Sequence, residues 1–173
     1  MKRLLLICMM FIAAALYAQE EEATDIEVSF HGFPWGTSMS EFTAKMGDPA
    51  HRDTFNGMQS LVYEDITVSG YPVFMLVYFS QNRLEGGTYY FLTDSYDELV
   101  TCYNNLKVEL AEKFGPTFLF DDIYKEMAPY ESSWNNLTSG YVRLKVDTRR
   151  NDPVTLWYSS PGLTERLGIT RRL

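Results

Sequence analysis

The stretch from Ser60 to Leu92 constrains the fold more than any other part of the chain. It holds three strand-like segments, Ser60 to Val68, Tyr71 to Phe79 and Arg83 to Leu92, separated only by Ser69-Gly70 and Ser80-Gln81-Asn82. Connections this short cannot return a chain for a parallel crossover, so the three must form an antiparallel meander. The first segment has Leu61, Tyr63 and Ile66 as its apolar positions. The second is apolar at nearly every position, which predicts a central strand buried on both faces.

A helix is expected on either side of this meander. Ser38 followed by Glu41 is a capping box, in which each side chain satisfies a free backbone N–H at a helix start. Phe42 and Met46 then lie on one face and Glu41 and Lys45 form an outward pair. Gly47-Asp48-Pro49 stops this short helix. His51 falls in the loop beyond it. The second helix opens at Asp94, with Asp97 and Glu98 in a first turn whose dipole favours negative charge. Tyr96, Leu99, Val100, Tyr103, Leu106, Leu110 and Phe114 recur at helical spacing and make one apolar stripe, ended by Gly115-Pro116.

Strands resume around Ser132 to Leu137, from Gly140 to Asp147 and from Val154 to Ser159. In the middle one the alternation is clean: Val142, Leu144 and Val146 face in, while Tyr141, Arg143, Lys145 and Asp147 face out. Both halves thus run helix, glycine–proline stop, strands. Ala44 to Pro49 also echoes Ala111 to Pro116. The expected fold class is α+β: two tandem helix-then-antiparallel-strand units sharing a meander sheet, with both helices on one face. Its expected divisions are a signal peptide over 1–18, a flexible acidic lead-in over 19–28, a first αβββ unit over 29–93, a second over 94–162, and a basic tail over 163–173.

The N-terminal division rests on Lys2-Arg3, followed by an uncharged apolar run from Leu4 to Leu16 that is too short to span a membrane, and then by Tyr17-Ala18 and an acidic restart. Cys8 is not read as a lipidation site, because Leu5-Leu6-Ile7 lacks the small residue needed before a lipidated cysteine. Processing would leave Cys102 as the lone cysteine, so no internal disulfide would hold the fold. It would also remove Lys2 and Arg3, taking the net charge from −8 to −10. So acidic a chain, with no basic stripe beyond Arg166, Arg171 and Arg172, argues against nucleic acid as a partner. The expected location is periplasmic or secreted, with no transmembrane helix in the mature chain.

Trp35-Gly36-Thr37-Ser38-Met39-Ser40-Glu41, leading to Met46-Gly47-Asp48-Pro49, resembles the opening of small envelope proteins. These are the BamE (SmpA/OmlA) family and β-lactamase-inhibitor-protein-like modules. The resemblance covers about fifteen residues. It implies an α+β module that binds other envelope or secreted proteins through its sheet and loops, without catalysis, and it carries over no binding residue.

No catalytic constellation is expected. His31, His51 and Cys102 are scattered, and a zinc site would want closely spaced ligands. Cys102 flanks the apolar stripe and reads as a packed thiol. His51-Arg52-Asp53 mimics a kinase tripeptide without the rest of that signature. Asp121, Asp122 and Glu126 lack the spacing of a calcium loop, and Asn136-Leu137-Thr138 is an incidental sequon. Neither a metal nor a cofactor is expected. The stronger signal is aromatic: Trp134, Tyr141 and Trp157 lie on strands, with Arg143 and Lys145 sharing the outward face of Tyr141. Together with Trp35 in the loop at Pro34, these residues are the expected contact surface for a protein partner in the envelope or outside the cell. The alternative is a carrier whose aromatics line a cavity between helices and sheet and take a small apolar ligand or lipid.

Overall fold

A computed structural model describes residues 26–55, 57–116, 118–119, 130–134, 137–147 and 153–167. The signal peptide, most of the acidic lead-in, Asp121, Asp122, Glu126, Asn136, Arg171 and Arg172 lie outside these residues. In the described part, a single antiparallel sheet dominates. Its strands are β1 (His51–Phe55), β2 (Met58–Val68), β3 (Tyr71–Ser80), β4 (Arg83–Phe91), β5 (Phe118–Leu119), β6 (Tyr130–Trp134), β7 (Tyr141–Val146) and β8 (Val154–Ser159). They are ordered β1-β2-β3-β4-β8-β7-β6-β5. The meander of β2, β3 and β4 forms with the tight turns its sequence demands; Ser69, Gln81 and Asn82 take positive φ there.

Three helices accompany the sheet: α1 (Met39–Met46), α2 (Tyr96–Phe114) and α3 (Pro161–Arg166). An eight-residue helix such as α1 is marginal by itself in water. It is held by Phe42, fully buried against Phe33, Phe79 and Tyr63 at ring separations of 4.3, 5.6 and 5.9 Å. The Glu41 N–H donates to Ser38 Oγ at 3.2 Å, while the Glu41 carboxylate lies 3.9 Å from Lys45 Nζ. In α2 the cap is Ser95, one residue beyond Asp94, and its hydroxyl accepts from the Glu98 N–H. Leu99, Tyr103, Leu106, Leu110 and Phe114 of the stripe are buried, Val100 is half-buried and Tyr96 is exposed.

Side chains of one parity make the inner core. Val77, Gly87, Tyr158 and Val142 lie side by side across β3, β4, β8 and β7, and Met75, Tyr89, Leu156 and Leu144 form the next row. Phe30 enters this layer from the N-terminal segment, stacked 4.8 Å from Tyr89 and 5.8 Å from Tyr158. Phe114 of α2 closes on Trp134 and Tyr158 at 6.3 and 6.5 Å. Tyr103 and Ser132 share a buried hydroxyl–hydroxyl hydrogen bond of 2.9 Å.

The expected tandem α+β architecture is corrected. The strands do not fall into two αβββ units; they join in one sheet through the β4–β8 pairing, and seven of them have five residues or more. The helix set differs too: α1 and α2 both pack on the inner core, through Phe42 and Phe114, while a third and unexpected helix, α3, brings Leu163 to Gly86, whose Cβ position points to the opposite side from that of Gly87. Residues 163–166, expected to begin a basic tail, are helical, with Leu163 and Thr164 buried. The region around His51 is the edge strand β1 and not a loop: its residues lack apolar alternation, and pairing with β2 alone makes it a strand. Nor is β3 buried on both faces, since Pro72 and Phe74 are exposed.

Candidate functional site

The face of the sheet opposite the inner core carries the most chemically distinctive surface among the described residues. Register places Leu76, Thr88, Trp157, Arg143 and Ser133 in one row across β3, β4, β8, β7 and β6. Phe74, Tyr90, Thr155, Lys145 and Glu131 form the adjacent row. Directly opposite residues on antiparallel strands are close enough to interact. Within the rows, the Arg143 guanidinium carbon lies 5.4 Å from the Trp157 ring centroid, and the Tyr141 ring meets Trp157 edge-on at 5.5 Å. Glu131 reaches Arg143 at 4.0 Å. The Tyr141 hydroxyl interacts with Ser133 and Arg143; burial raises its pKa, Arg143 opposes that shift and Glu131 reinforces it. The result is an indole clamped between a cation and a phenol, with few rotamers left to lose on contact.

Of the six residues expected to form a contact surface, Tyr141, Arg143 and Trp157 are brought together and Lys145 lies in the neighbouring row. Tyr141 is nonetheless only 7% exposed and supports Trp157 from beside it. Trp134 belongs elsewhere: it is fully buried on the inner side, and its indole N–H donates to the Gly115 carbonyl at 2.9 Å, so no partner can reach it. Trp35 ties two turns together, its Nε1–H donating to the Ser139 carbonyl at 2.7 Å. Phe74, Leu76 and Tyr90 join the outer face without having been foreseen. Reading β3 as two-sided core hid the first two; cross-strand register with β4 is the signal that finds all three.

Outside this face the reactive side chains are individually accounted for. His31 sits at φ 52° with Nδ1 2.9 Å from the Tyr89 hydroxyl, and burial lowers its pKa. His51 is an exposed edge residue 4.0 Å from the Glu64 carboxylate. Cys102 is fully buried on α2; burial, reinforced by Glu98 and Glu109, pushes its thiol up to about 12. A nucleophilic cysteine needs the opposite shift. The folded protein is therefore expected to resist iodoacetamide at pH 8 while the urea-unfolded chain is alkylated, as mass spectrometry would show; rapid labelling of the folded form would contradict this burial. Among the described residues no group of three or more His, Cys, Asp or Glu side chains is placed to hold a metal. Nor is any helix there long and apolar enough to cross a membrane.

No family model matches the chain, and no curated protein matches it. Solved structures similar to it in part include two from bacteria. An extracellular protein containing an SCP domain from Bacillus anthracis is 11% identical, with a TM-score of 0.40, over 76% of this chain and 45% of that one. A cysteine-rich secretory protein from Staphylococcus aureus is 12% identical, with a TM-score of 0.41, over 75% of this chain and 45% of that one. The chain spans less than half the length of either. The resemblance to BamE-like and inhibitor-like modules is thereby corrected: no family model of either kind matches, and neither structure bears such a description. Its motif consists of a serine cap and a glycine–proline stop around α1, which short helices of unrelated proteins also require.

Proposed function

We propose that this chain is an exported, non-catalytic binding protein that engages a protein partner through the outer face of its sheet. The observation that carries the reading is the Tyr141–Trp157–Arg143–Glu131 arrangement, lying beside the partly exposed Phe74, Leu76 and Tyr90. Tryptophan, tyrosine and arginine dominate the energetics of protein interfaces, and an immobilised side chain gives up less entropy on docking. Export rests on the basic start, apolar run and acidic restart of residues 1–22. The non-catalytic reading is supported by the raised Cys102 thiol and the half-buried His31 bonded to Tyr89, neither of which is poised for proton or acyl transfer. The carrier alternative has less support. Between α1, α2 and the sheet, the rings of Phe33, Phe42 and Phe79 pack on one another, as do those of Phe114, Trp134 and Tyr158.

The test is capture of partners from an envelope extract of the source cells by the wild-type protein and by a Phe74→Ala, Arg143→Ala, Trp157→Ala variant. Each of these side chains is at least partly exposed, so the variant is expected to unfold at nearly the wild-type temperature. Recovery of the partner should fall by about tenfold or more, the loss expected when central aromatic and arginine anchors go. A folded variant that recovers its partner undiminished would rule out this face.

A further inference from the structure

An open groove of about 290 Å³ lies at the other end of the sheet, between the start of α1 and the β1–β2 hairpin. Met39, Arg52, Asp53, Thr54, Gln59, Ser60 and Leu61 line it. Arg52 stands opposite Leu61 and Thr54 opposite Gln59, so these four side chains share one side of the hairpin. Leu61 is 1% exposed and provides an apolar floor. The Arg52 guanidinium meets only the thioether of Met39, at 3.9 Å, among the described residues; sulfur is a weak acceptor and carries no charge. Its chain neighbour Asp53 also borders the groove but forms no ion pair with it. The Asp53 carboxylate accepts the Thr54 N–H at 2.6 Å, and strand alternation turns it to the other side. Among the described residues, the Arg52 cation thus stands without a charged partner beside an apolar floor.

We propose that this groove binds a small amphipathic carboxylate. Its carboxylate would pair with Arg52, in the forked geometry that guanidinium offers. Its apolar part would rest on Leu61 and Met39, and Thr54 and Gln59 would hydrogen-bond an amide or hydroxyl between the two. The volume lies at the small end of ligand pockets, which limits the ligand to about the size of one capped amino acid. This inference is independent of docking on the outer face.

The probe is N-acetyl-leucine, with the neutral N-acetyl-leucinamide as its isostere, titrated into the protein and followed by backbone amide NMR shifts. Saturable binding in the millimolar range or tighter is expected, with shifts centred on residues 38–40, 52–54 and 59–61. The amide should bind about tenfold or more weakly, since charge-assisted hydrogen bonds are lost. Arg52→Gln should weaken N-acetyl-leucine to the same degree while the unfolding temperature stays put, because Arg52 is exposed. The site is disproved by an absence of saturable binding, by equal binding of acid and amide, by full affinity in Arg52→Gln, or by shifts centred elsewhere.

Discussion

Replacing Trp134 with alanine should cost the fold about 3–5 kcal/mol, the range for emptying a fully buried aromatic site. The indole is 0% exposed, packs against Phe114 at 6.3 Å and donates to the Gly115 carbonyl at 2.9 Å. Truncation therefore opens a cavity between α2 and the sheet and also leaves the carbonyl at the end of α2 without its donor. Trp134→Phe keeps a ring and loses the donor, so about 1–2 kcal/mol is expected. Trp157→Ala, on the opposite side of the same sheet, should stay within about 1 kcal/mol. Urea unfolding of the three variants, with unchanged slopes, would read these values. Equal midpoints for Trp134→Ala and Trp157→Ala would refute the assignment of the two tryptophans to different faces.

The second large effect concerns the contact between Gly87 and Phe30. A Cβ on Gly87 would stand 2.2 Å from both Cε1 and Cζ of the Phe30 ring. That ring is wholly buried and stacked on Tyr89 at 4.8 Å, so it has nowhere to retreat. Gly87→Ala is expected to destabilise by about 2–3 kcal/mol through overpacking in the middle of the sheet. Phe30→Ala alone should cost about 3–5 kcal/mol by emptying the same space. Together they should be strongly sub-additive, by at least about 1 kcal/mol, because the added methyl occupies part of the room the ring has left. Additivity within about 0.5 kcal/mol would show that the ring does not lie over Gly87.

These two contacts show where sequence reading succeeds and where it fails. In β7 strict alternation puts Val142, Leu144 and Val146 inside and Arg143 and Lys145 outside, and the structure agrees, although Tyr141 and Asp147, also expected outside, are buried. In β3 the same reasoning fails, because an apolar run reads alike whether a second layer covers its far side or Phe74 and Leu76 simply face outward. Trp134 and Trp157 are indistinguishable as letters. Only the pairings Trp134–Val142 and Arg143–Trp157 put one under α2 and the other beside a guanidinium. The strand β1 has no apolar pattern, so nothing local marks it. The short motif at Trp35 misled because helix-entry chemistry is common to many folds.

From its sequence alone the chain determined its local elements: the caps at Ser38 and near Ser95, the glycine stops at Gly47 and Gly115, and the tight turns that make β2, β3 and β4 antiparallel. Those features depend on backbone conformations and hydrogen bonds within a few residues, so they are written where they act. Tertiary structure decided how the strands are ordered, on which side each helix lies and which aromatic rings face out. Such choices follow from β8 pairing with β4, in a register that stacks Tyr158 beside Gly87 and Leu156 beside Tyr89. A contact between residues so distant in the chain is selected by the fit of whole faces, and no local window contains it.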